Sequence, residues 1–475
     1  MLFSSLVFLF GFLPGMLLIY FLLPWRFRNV CLLLGSLFFY AWGEPRFVFV
    51  MMGSIIFNYA MARGIAGKLE SIRGGQESST TAKQFMVAAV VGNLALLFVF
   101  KYLDFTLANI NRLLGLELTL PGITLPIGIS FFTFQAMSYV VDVYRGEVAV
   151  QKNILHLGLY IALFPQLIAG PIVRYKDVVQ QILSRGITLD SFSTGLERFL
   201  AGLAKKVILA NNLALAADLA FASEADGSAS VALLWLGAVA YTLQIYFDFS
   251  GYSDMAIGLG QMFGFRIKEN FNYPYLARSV TDFWRRWHMS LSSWFRDYVY
   301  IPLGGNRRGL RRQVLNLFVV WTLTGIWHGA AWTFVAWGMA YFLLLTAEKI
   351  LRIEKMEGTL FRLLYRGWTL LAVTCCWVLF RSEGLHQAVS YLKGMFFMDG
   401  LPLFSYGAAR CLGEQGIIGA VALICAFFSV PLVEWVKKEQ LGAVLLRRSL
   451  LLFAMVYAVS YLVMGAHNPF IYFNF

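Results

Sequence analysis

The run Arg311-Arg-Gln-Val-Leu-Asn-Leu-Phe-Val-Val-Trp-Thr-Leu-Thr-Gly-Ile-Trp-His328-Gly-Ala330 decides how the chain is read. A basic pair opens it, an apolar span follows at 313–327, and a lone imidazole closes it. With Arg312 at a cytoplasmic interface, His328 lies 16 residues further on. That is roughly 24 Å at about 1.5 Å per helical residue, short of a ~30 Å hydrocarbon core. The spacing predicts an imidazole in the outer half of a bilayer or, with helix tilt, near its middle. Gly325 and Gly329 flank it at a spacing that lets a neighbouring helix approach closely. An ionisable group at that depth is costly and marks a candidate functional site; the alternative is a core histidine donating to a backbone carbonyl.

The rest of the sequence has the same character. Of 475 residues, 59% are hydrophobic and only 14% charged, against roughly 45–50% apolar in soluble domains. No polar stretch is long enough for a soluble domain. Residues 1–475 are therefore expected to form one all-α polytopic membrane domain, with its functional core at about 125–345. The net charge of +13 comes from short basic clusters between apolar runs. That is the signature of cytoplasmic loops, and it argues against a nucleic-acid partner. The five cysteines, Cys31, Cys375, Cys376, Cys411 and Cys425, lack metal-type spacing and are expected to be free thiols.

Taken in order, the first apolar run, near 3–23, has no basic leader or cleavage signature and reads as a span rather than a signal peptide. Its flank Pro24-Trp-Arg26-Phe-Arg28 reads as a cytoplasmic interface, which places the N-terminus outside. Spans follow near 29–42, 46–62, 84–101 and 125–145, with a cytoplasmic loop over 63–83 that includes a Gly-Gly and Ser-Ser-Thr-Thr tract and a short external stretch before Leu125. The segment 153–173 is broken by Pro165, Gly170 and Pro171 and has basic flanks on both sides, so it reads as a re-entrant hairpin. A helix from Gly195, with Arg198, Lys205 and Lys206 on its early turns, leads out to the acidic loop 223–228, and the run 230–263 returns. Further spans near 313–327, 330–350, 367–380, 415–435 and 449–464 bring the total to roughly 11–13, with Lys437, Lys438, Arg447 and Arg448 inside and the C-terminus outside.

The second histidine lies in Thr281-Asp-Phe-Trp-Arg-Arg-Trp-His288-Met-Ser290. Ser279-Val-Thr-Asp282 fits a helix start, and no glycine or proline intervenes up to Tyr300, so 279–300 reads as one amphipathic helix. At 3.6 residues per turn, Trp284, His288, Leu291 and Phe295 share a face, and Arg286 and Arg296 share another with Asp282. One reading is an interfacial anchor. The sharper one has Arg285, Arg286 and Arg296 gripping a phosphate-bearing ligand, since guanidinium forks match phosphate geometry. The turn Pro302-Leu-Gly-Gly-Asn306-Arg307 could add backbone amides, though a Gly-Gly-Asn turn needs no ligand to explain it.

A neutral imidazole is well suited to take a proton from a hydroxyl near neutral pH. No Gly-x-Ser-x-Gly elbow, metal-type histidine pair or phosphate-binding glycine loop accompanies either histidine, which disfavours serine-hydrolase and metal mechanisms. Gln135 makes its span unusually polar, as a packed seam or a cavity wall would be. Asp248 and Asp254 are buried-pair, substrate-path or ion-coupling candidates. The last of these keeps a polysaccharide or acyl-group transporter open as an alternative, and a scaffold for envelope assembly is a third.

The segment from Asp282 through Arg307, together with Leu323-Thr-Gly-Ile-Trp327-His328-Gly-Ala-Ala-Trp332, closely resembles the membrane-bound O-acyltransferase family. Within it, the chain is similar to the bacterial branch that O-acetylates alginate and peptidoglycan. The likeness extends to Leu125–Gln135, Phe164–Pro171, Tyr246–Asp254 and the terminal Phe470–Phe475. It implies tilted helices with re-entrant and interfacial pieces around a funnel or tunnel, with His328 and His288 as the catalytic pair. Trp284, Arg285, Arg286, Trp287, Arg296, Asn306, Arg307, Trp327, Gln135 and Asp248 are candidates for substrate or donor contact. It also implies acetyl-CoA or another acyl thioester as donor, with no bound cofactor or metal. The bacterial cytoplasmic membrane, extracytoplasmic acetyltransferase partners and a polysaccharide acceptor follow as expectations. Ile301-Pro-Leu-Gly-Gly-Asn-Arg307 resembles the acetylating members rather than the one that transfers D-alanine to teichoic acid.

Overall fold

The computed structural model describes residues 1–73, 79–436, 441–465 and 471. The part of the 63–83 loop from Gly74 to Ser78, Lys437 and Lys438, and all of the terminal motif except Ile471 lie outside the described residues, as does the expected extracytoplasmic C-terminus. All regular structure among the described residues is helical. Eight helices there are long and apolar enough to cross a membrane: Val48–Ser71, Thr80–Leu114, Leu189–Ala225, Val231–Met262, Trp332–Ile350, Thr359–Arg381, Tyr406–Phe427 and Gly442–Val463. The stretches read as spans near 29–42, 125–145 and 313–327 form the helices Trp25–Gly43, Ile129–Arg145 and Gly309–His328, which are shorter or more polar. All five cysteines are free.

Several boundaries differ from the sequence reading. The loop expected over 63–83 is helical at both ends, because Val48–Arg73 and Ser79–Leu97 run into it. The chain expected to leave its helix after 101 stays helical, through a π-helical turn at Phe98–Tyr102, to Leu114. Nothing in 102–114 breaks a helix, and Gly115, in the left-handed region at φ 65°, ends it. Likewise Lys205 and Lys206 are not on the early turns of a helix from Gly195. They open a π-helical turn, Lys205–Ala210, well inside a helix that begins at Leu189.

The chain divides into two compact units, residues 1–199 with 255–268 and residues 200–254 with 269–475. In the first, helices Val48–Arg73 and Ser79–Leu97 are joined by a reciprocal amide pair. Asn58 Nδ2 donates to Asn93 Oδ1 at 3.1 Å, and Asn93 Nδ2 donates back to Asn58 Oδ1 at 2.7 Å. Buried amides between apolar helices are stable only when satisfied, and here each bonds the other. The segment read as re-entrant forms two short helices, Ile154–Ala162 and Phe164–Leu167, and every residue from 157 to 175 is buried. Irregular backbone at membrane depth requires such burial. Arg185 ties the unit together: its guanidinium donates to Phe263 O, Tyr20 Oη, Asn29 Oδ1 and Gln181 O. Its charge also lies over the Phe265 ring at 4.4 Å.

In the second unit, Gly309–His328 and Trp332–Ile350 form a tight helical hairpin. A Cβ on Gly325 would lie 2.5 Å from Phe334 O, and one on Gly338 2.4 Å from Trp321 O. The expected close approach is thus met by glycine against backbone, and Gly329 packs against the Phe334 ring.

Candidate active site

Ser279 caps the helix Val280–Arg286, its hydroxyl accepting from Asp282 N–H at 3.1 Å as the sequence pattern predicts. The second support of that helix start is Glu348, from the helix Trp332–Ile350. Its carboxylate accepts from Val280 N–H at 2.7 Å, Thr281 N–H at 2.8 Å, Thr281 Oγ1 at 2.6 Å and Tyr365 Oη at 3.0 Å. A buried carboxylate on the exposed N–H groups of a helix start satisfies both the charge and the donors.

The predicted continuous helix over 279–300 is not formed. It stops at Arg286; Trp287 is extended, His288 is left-handed at φ 44°, and a new helix runs Met289–Phe295 into a π-helical turn at Arg296–Tyr300. Neither glycine nor proline causes the break. Asn270, from the preceding loop, supplies rival acceptors: its carbonyl takes Met289 N–H at 2.9 Å and its Oδ1 takes Ser290 N–H at 3.1 Å. Left-handed backbone in a non-glycine residue costs about 1–3 kcal/mol and persists where its surroundings over-determine it. The kink puts His288, fully buried, at the mouth of the second helix.

Around that imidazole stand Phe249 at 4.6 Å between ring centroids and Trp327 at 6.1 Å, with Asn270 Oδ1 3.2 Å from Nδ1. Burial drives its pKa down to about 3, so it is uncharged at physiological pH. Trp327 is also 4.9 Å from the His328 ring. The two imidazoles are therefore at most the sum of those distances apart, about a third of a ~30 Å bilayer core. His328 ends the helix Gly309–His328, almost buried, with Trp337 at 4.9 Å and Phe380 at 5.2 Å edge-on to its ring. The structure thus gathers His288, Trp327 and His328 into one aromatic cluster.

The other candidates divide. Trp284 packs on Trp321, Trp337 and Tyr341, and Trp287 on Phe271, Phe283 and Trp377, both as core side chains. Arg285 and Arg286 line a cavity of about 660 Å³ together with Arg278, Asp282, Glu354, Arg362 and Tyr365. Within it Arg286 pairs with Asp282 at 3.0 Å and Arg285 with Glu354 at 3.4 Å. Arg296 does not line that cavity and pairs with Asp297 at 2.7 Å. Asn306 and Arg307 are exposed on a turn whose Gly304 and Gly305 have φ of 106° and 58°. Asn316 Nδ2 donates to Gly305 O at 2.8 Å, so the turn is held by the chain itself.

Asp248 is buried in an ion pair with Lys206 at 2.5 Å and accepts Ile471 N–H at 3.0 Å; Asp254 pairs with Lys205 at 2.6 Å. Asp248 thus forms a buried pair and Asp254 a half-buried one, each with a lysine rather than an arginine. Gln135 belongs to the first unit, fully buried. Sequence reading missed Asn270, Glu348, Lys206, Arg278 and Arg362 as participants. An acidic residue inside an apolar span was a signal for Glu348; Asn270, in a polar loop, offered none.

The second unit thus holds two buried histidines in one aromatic cluster and an arginine-lined cavity. The family model for "MBOAT, membrane-bound O-acyltransferase family" matches residues 148–353, which include both histidines. The chain is 40% identical to the "Probable alginate O-acetylase AlgI" of Pseudomonas putida over the full length of both. It is 43% identical to the protein of that name in Pseudomonas aeruginosa over 90% of this chain and 82% of the relative. To the "Peptidoglycan O-acetyltransferase" of Helicobacter pylori it is 35% identical over 85% and 81%. The chain belongs to the membrane-bound O-acyltransferase family and is a multi-pass membrane acyltransferase.

Proposed function

We propose that the chain transfers acetyl groups from acetyl-CoA, bound from the cytoplasmic side, for O-acetylation of a cell-surface polysaccharide such as alginate, directly or through an extracytoplasmic acetyltransferase partner. It does so in the bacterial cytoplasmic membrane, with both termini extracytoplasmic. The observation that carries this reading is the cluster His288–Trp327–His328, which puts two imidazoles in one apolar setting. The relatives' names supply the acetyl group and the polymer class.

In the reaction, His328 takes the proton of the acceptor hydroxyl as its oxygen attacks the thioester carbonyl. The new C–O bond forms, the C–S bond breaks, and the departing thiolate takes up the proton. The rings of Trp327, Trp337 and Phe380 hold the His328 imidazole in place for this step. Arg285 and Arg286 of the arginine-lined cavity end the helix Val280–Arg286 two residues before His288, which supports a donor whose phosphates sit by Arg278, Arg285, Arg286 and Arg362.

His328→Ala, expressed to normal membrane abundance, should abolish acetyl transfer from radiolabelled acetyl-CoA and leave the polymer unacetylated. Undiminished acetylation sinks the assignment.

A further inference from the structure

Asn270 is fully buried and touches the His288 region three ways. Its carbonyl accepts Met289 N–H, while its side-chain oxygen accepts Ser290 N–H at 3.1 Å and Ser290 Oγ–H at 2.8 Å. A backbone N–H can only donate, so the amide must present its oxygen, not its NH₂, to this corner. That same oxygen lies 3.2 Å from His288 Nδ1. Two acceptors cannot share a hydrogen bond, so Nδ1 carries the proton and the lone pair resides on Nε2. Nε2 is itself buried and has no hydrogen-bond partner among the described residues. Ser290 Oγ also lies 3.4 Å from Nδ1, but it gives its proton to Asn270 Oδ1 at 2.8 Å and so can accept from Nδ1–H; the rings of Phe249 and Trp327, neither of them charged, pack on the imidazole as well.

We propose that Asn270 is a positioning residue that locks His288 in the Nδ1–H tautomer and so directs a bare Nε2 lone pair at the transferred acyl group or the proton leaving with it. The same residue holds the left-handed turn at His288, so orientation and tautomer are set together. The functional half rests on the reading of His288 as part of the transfer site; the tautomer does not.

The chain has five histidines, few enough for ¹⁵N-histidine NMR in detergent micelles, with the His288 signal assigned by its loss in His288→Gln. The wild type should show the Nδ1–H pattern. Asn270→Asp keeps an acceptor at the same place and should keep that pattern while titrating at higher pH, because a carboxylate stabilises the imidazolium. Asn270→Leu, with no acceptor, should lose the pattern. Its acetyl-transfer kcat should fall on the order of 10²-fold or more, the low end of what a positioned acid–base group contributes, with KM for acetyl-CoA little changed. Asn270→Asp should recover part of that loss. An Nε2–H signal in the wild type, or an unchanged Nδ1–H pattern in Asn270→Leu, overturns the proposal. Full activity in His288→Gln refutes the transfer-site reading, whereas the spectra still decide what Asn270 does.

Discussion

Replacing Lys206 by methionine removes the ammonium that stands 2.5 Å from the Asp248 carboxylate while keeping the volume of the side chain. Both side chains are almost wholly inaccessible, at 2% and 1% exposure, so water cannot compensate. What stays with the carboxylate is Ile471 N–H at 3.0 Å. Removing one partner of a buried pair costs about 3–5 kcal/mol, because the survivor is a charge that must be borne alone or neutralised by a proton. At about 1.4 kcal/mol per tenfold, that is two to three and a half orders of magnitude in the folded population. The cost belongs to the orphaned charge rather than to lost attraction, so Lys206→Met with Asp248→Asn should recover much of it. Heat inactivation of the detergent-solubilised protein, read beside membrane abundance, measures all three variants. A single variant as stable as the wild type, or a double variant no better than the single, refutes the reasoning. The first outcome would mean that the carboxylate is solvated or already protonated; the second, that the two side chains act independently.

Two further outcomes follow from the site. Glu348→Ala leaves Val280 N–H, Thr281 N–H and two hydroxyls without their buried acceptor. At about 1–3 kcal/mol per stranded group it should destabilise by several kcal/mol, seen as a lowered inactivation temperature together with lost acetyl transfer; retained stability would show that the helix Val280–Arg286 is held by Ser279 instead. The depressed pKa of His288, about 3 against an ordinary ~6.5, means that below pH 6.5 the unfolded chain binds a proton the folded chain refuses. Its contribution to stability is therefore complete above pH 6.5 and is lost as pH falls toward 3, at up to about 1.4 kcal/mol per pH unit. His288→Gln should flatten the acid side of a stability-against-pH curve by that slope, and an unchanged curve would place the imidazole in water.

The sequence by itself determined that this is a helical, membrane-embedded chain, because apolar runs bounded by basic clusters are a local property readable one residue at a time. It also located the histidines, the serine cap before Asp282 and the glycine seam at Gly325, each of which is a contact set by spacing along one helix. The tertiary structure alone decided the rest. His288 was read as the middle of a helix because nothing local breaks 279–300; the break is made by Asn270, whose acceptors outbid the helical ones only once the loop has folded back. The arithmetic along one helix gave the depth of His328 alone, whereas Trp327, packed on both imidazoles, bounds their separation. Lys205 and Lys206 were read only as basic residues on the early turns of a helix; the fold brings the carboxylates of Asp254 and Asp248 beside them. In each case the partner lies far along the chain, and a charge or donor buried in an apolar interior takes its role from whichever partner the fold delivers.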